Sequence, residues 1–407
     1  MSVPTILRSA RLAYYFLPQT SGQCVIADWH GSHSRDPAFS VHLRAAVECK
    51  PSLMKSPASI SLPESVSVGA FRRSLLGWYD EHARELPWRR DKDPYRIWVS
   101  EIMLQQTRVA AVIEHYHQFL RRFPSVQKLA AARESSVLAV WSGLGYYRRA
   151  RMLHASAKLI ARERGGRFPA TSSSWRDLPG IGRYTAAAIA SIAFGEAVAV
   201  VDGNVERVLQ RFLGKELAGE QFWDAADALI DRHRPGDFNQ AMMELGATIC
   251  TPKGPSCLTC PVMQWCSTRG ERQFGEAPPR QTKRVIDVAL HRRKGDVFLV
   301  QRATDVRLMA GMWELPQIDS DLLPRAPVAP VFTVRHSITV TDYVVRVWDS
   351  VGYRSDEGRW VASGKFCSLP LTGLARKVLR RAGFQIEPPR RQNIKKTENP
   401  GGALDHL

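Results

Sequence analysis

The sequence predicts two folded parts in one chain, an all-helical domain followed by a smaller domain of mixed α+β type. Apolar residues recur at helical spacing from Phe71 to about Ile249. After Cys266 the pattern shifts to alternating or short apolar runs at 285–291, 296–301, 331–334 and 343–348, which read as strands. A Pro-rich, basic stretch from Glu276 to Lys283 separates the two patterns and reads as a linker. With 407 residues and 44% hydrophobic content, the chain is long enough to bury a core in each part.

Taken in order, residues 1–66 carry Pro51, Pro57 and Pro63 and no regular pattern, so they read as an irregular extension, disordered or created by an over-long start assignment, with Met54 close to where patterning begins. Arg8 and Arg11 precede any acid, but serine richness and an amphipathic period are missing, so no transit peptide is assigned. The helical domain is expected over 67–275. Its first stripe is Phe71, Leu75, Trp78 and Tyr79, and its next runs from Val109 to Phe123. Further helices are expected over 129–138, 152–161, 184–194, 205–212, 222–230 and 239–249. The α+β domain is expected over 284–387 with one helix at 371–382, and 388–407 reads as a disordered polar tail. No stretch approaches the roughly 18 apolar residues of a membrane helix. The net charge of +18 is spread over both folded parts, which favours a polyanionic partner, nucleic acid ahead of an anionic membrane.

Four of the seven cysteines, Cys250, Cys257, Cys260 and Cys266, fall in the pattern C-x6-C-x2-C-x5-C. The other three are scattered, so a metal accounts for the cluster better than a disulfide framework. The spacing itself suits zinc or an iron–sulfur cube equally. The segment LPGIGRYTA (178–186) places Gly180 and Gly182 in a tight turn ahead of a helix, where free amides and the helix dipole form an anion seat for a backbone phosphate.

Two acids stand out. Asp93 and Pro94 read as the start of a helix that carries Glu101, with Ile97, Trp98 and Leu104 as neighbours on its face. A carboxyl among such neighbours is desolvated and retains its proton near neutrality. Asp202 ends the apolar run Val198 to Val201 and precedes Gly203 and a helix, so it reads as an N-cap or as a carboxylate placed beside a developing cation.

Together these motifs resemble the helix-hairpin-helix DNA glycosylases with a C-terminal iron–sulfur loop, and within them the MutY-type adenine glycosylases. The resemblance runs nearly continuously from Phe71 to Cys266. It passes through LPWR (86–89), SEIMLQQTRV (100–109), WSGLGYYRRAR (141–151), the hairpin and helix at 178–195, VDGNVERV (201–208), NQAMMELGA (239–247) and the cysteine loop at 250–266. It implies one [4Fe-4S] cluster on the four cysteines. The implied activity is monofunctional hydrolysis of the N-glycosidic bond of adenine mispaired with 8-oxoguanine or guanine, after base flipping. The expected partner is duplex DNA, with the chain a monomer in a bacterial cytoplasm at the nucleoid.

The resemblance also distributes roles. Glu101 is the acid at adenine and Asp202 the carboxylate under the sugar, with Asn204 and Glu244 ordering the nearby hydrogen bonds. Trp88 and Arg89 line the adenine side, while Gln106, Thr107, Leu144 and Tyr146 contact the lesion side and wedge into the stack. Gly180, Gly182 and Lys253 are phosphate contacts, as are Arg148, Arg149 and Arg151. Bifunctional endonuclease III-type relatives carry a lysine where this chain has Tyr184, so no Schiff base forms there and the phenol supports the acid. The last third resembles a Nudix-like recognition domain through LMAGMWELP (308–316), without the acidic box that holds magnesium. Where that domain has a His-Thr-Phe-Ser-His motif, this chain has His336, Ser337, Ile338, Thr339 and Val340. Thr339 replaces a serine hydroxyl, but Val340 cannot replace histidine. The alternatives are a non-catalytic iron–sulfur DNA clamp and an endonuclease III-like glycosylase-lyase.

Overall fold

The computed structural model describes residues 66–272, 281–306, 308–323, 328–338, 341–349 and 358–386, all within one compact unit. The expected N-terminal extension, most of the linker, Thr339, Val340 and the C-terminal tail lie outside the described residues.

Eleven α-helices occupy residues 66–272: α1 (Val68–His82), α2 (Pro94–Leu104), α3 (Val109–Arg122), α4 (Val126–Ala130), α5 (Glu134–Trp141), α6 (Arg148–Glu163), α7 (Ser172–Arg176), α8 (Arg183–Phe194), α9 (Gly203–Leu213), α10 (Glu220–Leu229) and α11 (Pro235–Thr248). The stretch 129–138, expected as one helix, resolves into the end of α4 and most of α5. Ser125 caps the first and the Arg133 carbonyl opens the second, so Leu129 and Val137 reach the same core from two directions.

The helices build two cores. One gathers Trp98, Tyr116, Phe119, Trp141 and Trp175 from α2, α3, α5 and α7. The other forms where α1 returns against α9 and α11, with Phe71 edge-on to Phe212 at 5.0 Å and near Phe238 at 6.3 Å. Helix α8 is alanine-rich and buried from Thr185 to Ser191, and it stops at Gly195, whose φ of +74° lets its own N–H reach the Ser191 carbonyl and the Glu196 N–H reach that of Ala190. Within the second core, α11 approaches α9 closely. A Cβ on Gly246 would lie 2.7 Å from the Asn204 Cβ and 3.0 Å from its carbonyl oxygen.

The α+β part contains β1 (Thr282–Leu290), β2 (Arg292–Arg293), β3 (Asp296–Gln301), β4 (Trp313–Glu314), β5 (Phe332–Ile338), β6 (Thr341–Asp349), β7 (Gly358–Ala362) and α12 (Gly373–Arg381). One sheet has the order β1-β6-β5, with β1 parallel and β5 antiparallel to β6, and Val288 opposite Val347. The other has β3 between β2, β4 and β7. Val297, Leu299, Val345 and Val347 pack with Val378 and Leu379 of α12. The short strands β4 and β7 carry too little alternation to be read from sequence.

This part is seated on the helices by a few specific contacts. Met312 is fully buried within the first helical core. The Leu371 carbonyl accepts from Ser142 Oγ at 2.6 Å and Tyr147 Oη at 3.1 Å, and the Ala310 carbonyl accepts from Arg151.

The α9–α11 contact predicts that Gly246→Ala destabilises the protein by about 1–3 kcal/mol, because the added methyl overpacks against backbone. Gly77→Ala is the control. Gly77 lies on the exposed face of α1 and has no neighbour within 4 Å of an added Cβ, so the change is neutral or stabilising by up to about 1 kcal/mol. Thermal denaturation of both variants checks the difference.

Candidate functional site

A cleft of about 1270 Å³ opens where the two helical cores and the α+β part meet. Glu101 from α2, Tyr184 from α8, Asp202 and Asn204 at the start of α9, and Glu244 from α11 all line it. The sequence places them there for local reasons. Asp93 accepts from the Tyr95 and Arg96 amides and starts α2, so that Glu101 falls two turns along a helix whose residues Ile97 to Met103 are all buried. The hairpin at 178–182 then lays α8 against α2.

Glu101 is 6% exposed. Burial raises its pKa from the usual 4.5 to about 7; the Tyr184 hydroxyl, donating to Oε2 at 3.0 Å, opposes this, and the nearby Asp202 adds to it. The Tyr184 phenol is itself held protonated, by burial first and then by Glu101 and Asp202. It also lies 3.5 Å from the Met243 sulfur.

Asp202 does cap α9. Its Oδ1 accepts from the Asn204 and Val205 amides at 2.9 and 2.8 Å, while Oδ2 accepts from the Asn204 side chain at 2.9 Å. Capping and a place in the cleft therefore coexist in one residue. Arg207 holds the far side of Asn204, donating to its Oδ1 at 3.0 Å and to the Gly246 carbonyl at 2.7 Å.

Glu244 is 1% exposed. Burial pushes its carboxyl up, but two arginines outweigh this and hold it below the usual carboxylate range. Arg84 donates through Nε at 2.6 Å and Nη2 at 2.8 Å, and Arg89 through Nη2 at 2.9 Å. Arg84 was not singled out by the sequence reading. It has no local pattern, and its partner is 160 residues away. Trp88 lies buried in a short 3-10 turn, edge-on to Tyr116 at 5.4 Å.

Across the cleft, Gln106 and Tyr146 are both exposed and both hold left-handed backbone conformations, with φ of +51° and +46°. Such conformations cost a non-glycine residue about 1 kcal/mol or more and concentrate at functional positions. Leu144 lies buried beneath this rim, and Thr107 Oγ1 donates to the Gln105 carbonyl. Leu308, Met309, His336, Ser337 and Ile338 complete the wall from the α+β side.

Gly180 has φ +75°, and a Cβ there would meet the Met152 Cβ at 2.5 Å, so the hairpin demands glycine at that position. At Gly182, which opens α8 without a side-chain cap, the space is free. Lys253 is exposed on the cysteine loop. Of the arginines expected at phosphate, Arg149 turns inward and donates to backbone carbonyls, while Arg151 stays partly exposed and pairs with Glu134 at 2.8 Å. Arginine heads bond carbonyls when burial leaves those acceptors without water.

The four cysteines are half-buried on the loop that follows α11, with Trp265 packing on the second core. Among the described residues no three His, Cys, Asp or Glu side chains stand close enough to hold a metal ion. The chemistry of the set nevertheless suits a thiolate centre. Burial, then the neighbouring cysteines, push the Cys260 thiol up to about 11, and a positive centre bound there would favour its thiolate. Arg211, 2% exposed, donates to Cys250 Sγ at 3.5 Å and anchors the Thr251 and Pro252 carbonyls at 2.7 and 2.9 Å.

The Glu101 environment has a consequence for stability. Between pH 4.5 and about 7 the folded chain keeps a proton that the unfolded chain has released, so stability falls as pH rises through that window. We expect Glu101→Gln to remove this contribution, worth a few kcal/mol, and to flatten the drop in melting temperature between pH 5 and pH 8. Parallel melting curves for the two proteins across that range would contradict the assignment.

A family model described as HhH-GPD superfamily base excision DNA repair protein matches residues 99–218. The chain is similar to the adenine DNA glycosylase of Homo sapiens, 48% identical over 242 residues, covering 53% of this chain and 44% of that protein. It is similar also to the adenine DNA glycosylase of Buchnera aphidicola subsp. Schizaphis graminum, 34% identical over 271 residues, covering 63% of this chain and 77% of that protein. It thus spans about half the length of the mammalian relatives it matches. A solved thermostable thymine-DNA glycosylase aligns with 50% of this chain and 96% of its own, at 31% identity and a TM-score of 0.47. With identity sustained over more than three quarters of the Buchnera protein, this chain belongs to the adenine DNA glycosylase family of the HhH-GPD superfamily.

Proposed function

We propose that the protein is a monofunctional DNA N-glycosylase that removes adenine mispaired with 8-oxoguanine or guanine. The observation that carries the reading is a buried carboxyl with a pKa of about 7, hydrogen-bonded by Tyr184, in one cleft with the capped carboxylate Asp202. Cleaving an N-glycosidic bond needs a proton on the departing base and negative charge beside the cationic sugar. Glu101 gives its proton to a ring nitrogen of adenine. The electron pair of the C1′–N9 bond leaves with the base, and Asp202 stabilises the sugar cation. Water then adds to C1′ and its proton restores the acid.

The arginine-held Glu244 orders the adenine with Trp88 and Arg89, and Asn204 keeps Asp202 oriented. Monofunctional chemistry is supported by the cleft itself, since among the described residues no lysine lines it. Gln106, Thr107, Leu144 and Tyr146 face the opposite strand, where an inserted side chain fills the gap left by a flipped base. We read the α+β part as Nudix-like and as the reader of the opposing base, with Thr339 in its sensing loop. Gly180 and Gly182 before α8, together with Lys253, hold phosphates. Cys250, Cys257, Cys260 and Cys266 would hold a [4Fe-4S] cluster, which supplies a positive centre that favours the thiolates and shapes the loop carrying Lys253.

Single-turnover base release from duplexes holding adenine opposite 8-oxoguanine, guanine and thymine tests the reading. Release from the first two, with strand cleavage only after alkali, is expected. Glu101→Gln should lose at least on the order of 100-fold in rate while binding DNA about as well. Near-normal turnover by that variant would remove the acid from the mechanism, and tight binding without release by the native protein would favour a non-catalytic clamp. Cys257→Ser should lose the visible absorbance of an iron–sulfur cluster; its retention at full strength would contradict the ligand set.

A further inference from the structure

Arg149 stands out as a half-buried cation with no carboxylate partner among the described residues. Its Nη1 donates to the carbonyls of Ile102 and Met103, both at 2.9 Å, and to that of Gln105. Its Nη2 donates to Thr107 Oγ1 at 3.1 Å and to the carbonyls of Leu144 and Gly145 at 3.2 and 3.3 Å. The guanidinium carbon lies 5.4 Å from the ring centroids of both Trp141 and Tyr146.

The acceptors belong to two separate segments. The Ile102 and Met103 carbonyls are among the last of α2, which no amide of that helix can reach, and a cation there also complements the helix dipole. Leu144 and Gly145 lead into Tyr146. Each segment also carries one strained residue of the rim, Gln106 or Tyr146. Strained conformations persist only where surrounding contacts over-determine them, and one guanidinium bonded to both segments does so.

We propose that Arg149 is a positioning residue that sets the rim pair Gln106 and Tyr146 at a fixed distance from the end of the helix carrying Glu101, so that opening the base stack and presenting adenine to the acid share one geometry. This rests on the glycosylase reading of the cleft. A lysine cannot do the same, since its compact ammonium carries a point charge and cannot span six acceptors in two segments.

The test compares Arg149→Lys and Arg149→Met with the native protein. Stack opening is followed by the fluorescence of 2-aminopurine placed beside an adenine opposite 8-oxoguanine. Chemistry is followed by single-turnover release from that adenine and from an adenine opposite an abasic site, where less stacking must be opened. Arg149→Lys should lose on the order of 10- to 100-fold in release opposite 8-oxoguanine. It should also lose most of the fluorescence rise, keep the native midpoint of the pH–rate profile, and recover to within a few-fold on the abasic-opposed substrate. Equal losses on both substrates, or an unchanged fluorescence rise, would overturn the proposal. If Arg149→Met does not fold, as melting curves will show, the lysine variant alone decides. Failure of the native protein to release adenine anywhere would sink the glycosylase reading, while the fluorescence rise would still judge Arg149.

Discussion

Burying the Glu101 carboxyl removes it from water while offering it no hydrogen-bonded cation. A carboxyl so placed either keeps its proton or destabilises the fold. Much of the helical part answers to that constraint. The apolar run of α2 supplies the dry wall, α8 brings a phenol that can donate only one hydrogen bond, and Asp202 faces the same cleft while already accepting three hydrogen bonds from the start of α9 and the Asn204 side chain. Glu244, equally buried, takes the other solution, with two arginines against it. Two neighbouring glutamates are thereby pushed in opposite directions, one toward holding a proton and one toward releasing it.

The parts of this arrangement that were legible in the sequence are local. Asp93-Pro94 announces the start of α2, the apolar spacing around Glu101 announces its burial, and Gly180 marks a turn that only glycine can make beside Met152. Asp202 carried two readings, an N-cap and a carboxylate beside a developing cation; it caps α9, and it also lines the cleft. Contacts between distant segments were not legible. Arg84 finds Glu244 only after α11 folds back over the 3-10 turn, and nothing in the run Arg148 to Arg151 distinguishes an arginine that faces solvent from one that crosses the interior. Tyr146 and Tyr147 make the same point. Adjacent and chemically identical, one is 46% exposed on the rim and the other 4% exposed in the core, and the left-handed backbone at Tyr146 has no signal in the residue type.

The formal charge of +18 consequently overstates the positive surface. Arg149 and Arg211 spend their donors on carbonyls and a thiol, and Arg84 and Arg89 on Glu244. Arginine suits such places because its five donors spread over a plane, so one side chain satisfies several stranded acceptors. In this protein arginine cross-links loops as well as supplying charge, and the field felt by a polyanion comes from the remainder.

The seat of the α+β part has an unequal division of labour. On the helical side the donors are particular side chains, Ser142, Tyr147 and Arg151. On the other side the acceptors are backbone carbonyls of Leu371 and Ala310. A carbonyl is supplied by whatever residue occupies the position. Sequence drift at those two sites therefore leaves the hydrogen bonds available, whereas drift at the three donors removes them. Apart from the buried Met312, the smaller part is free to diverge in sequence faster than the helical part while remaining in register above the cleft.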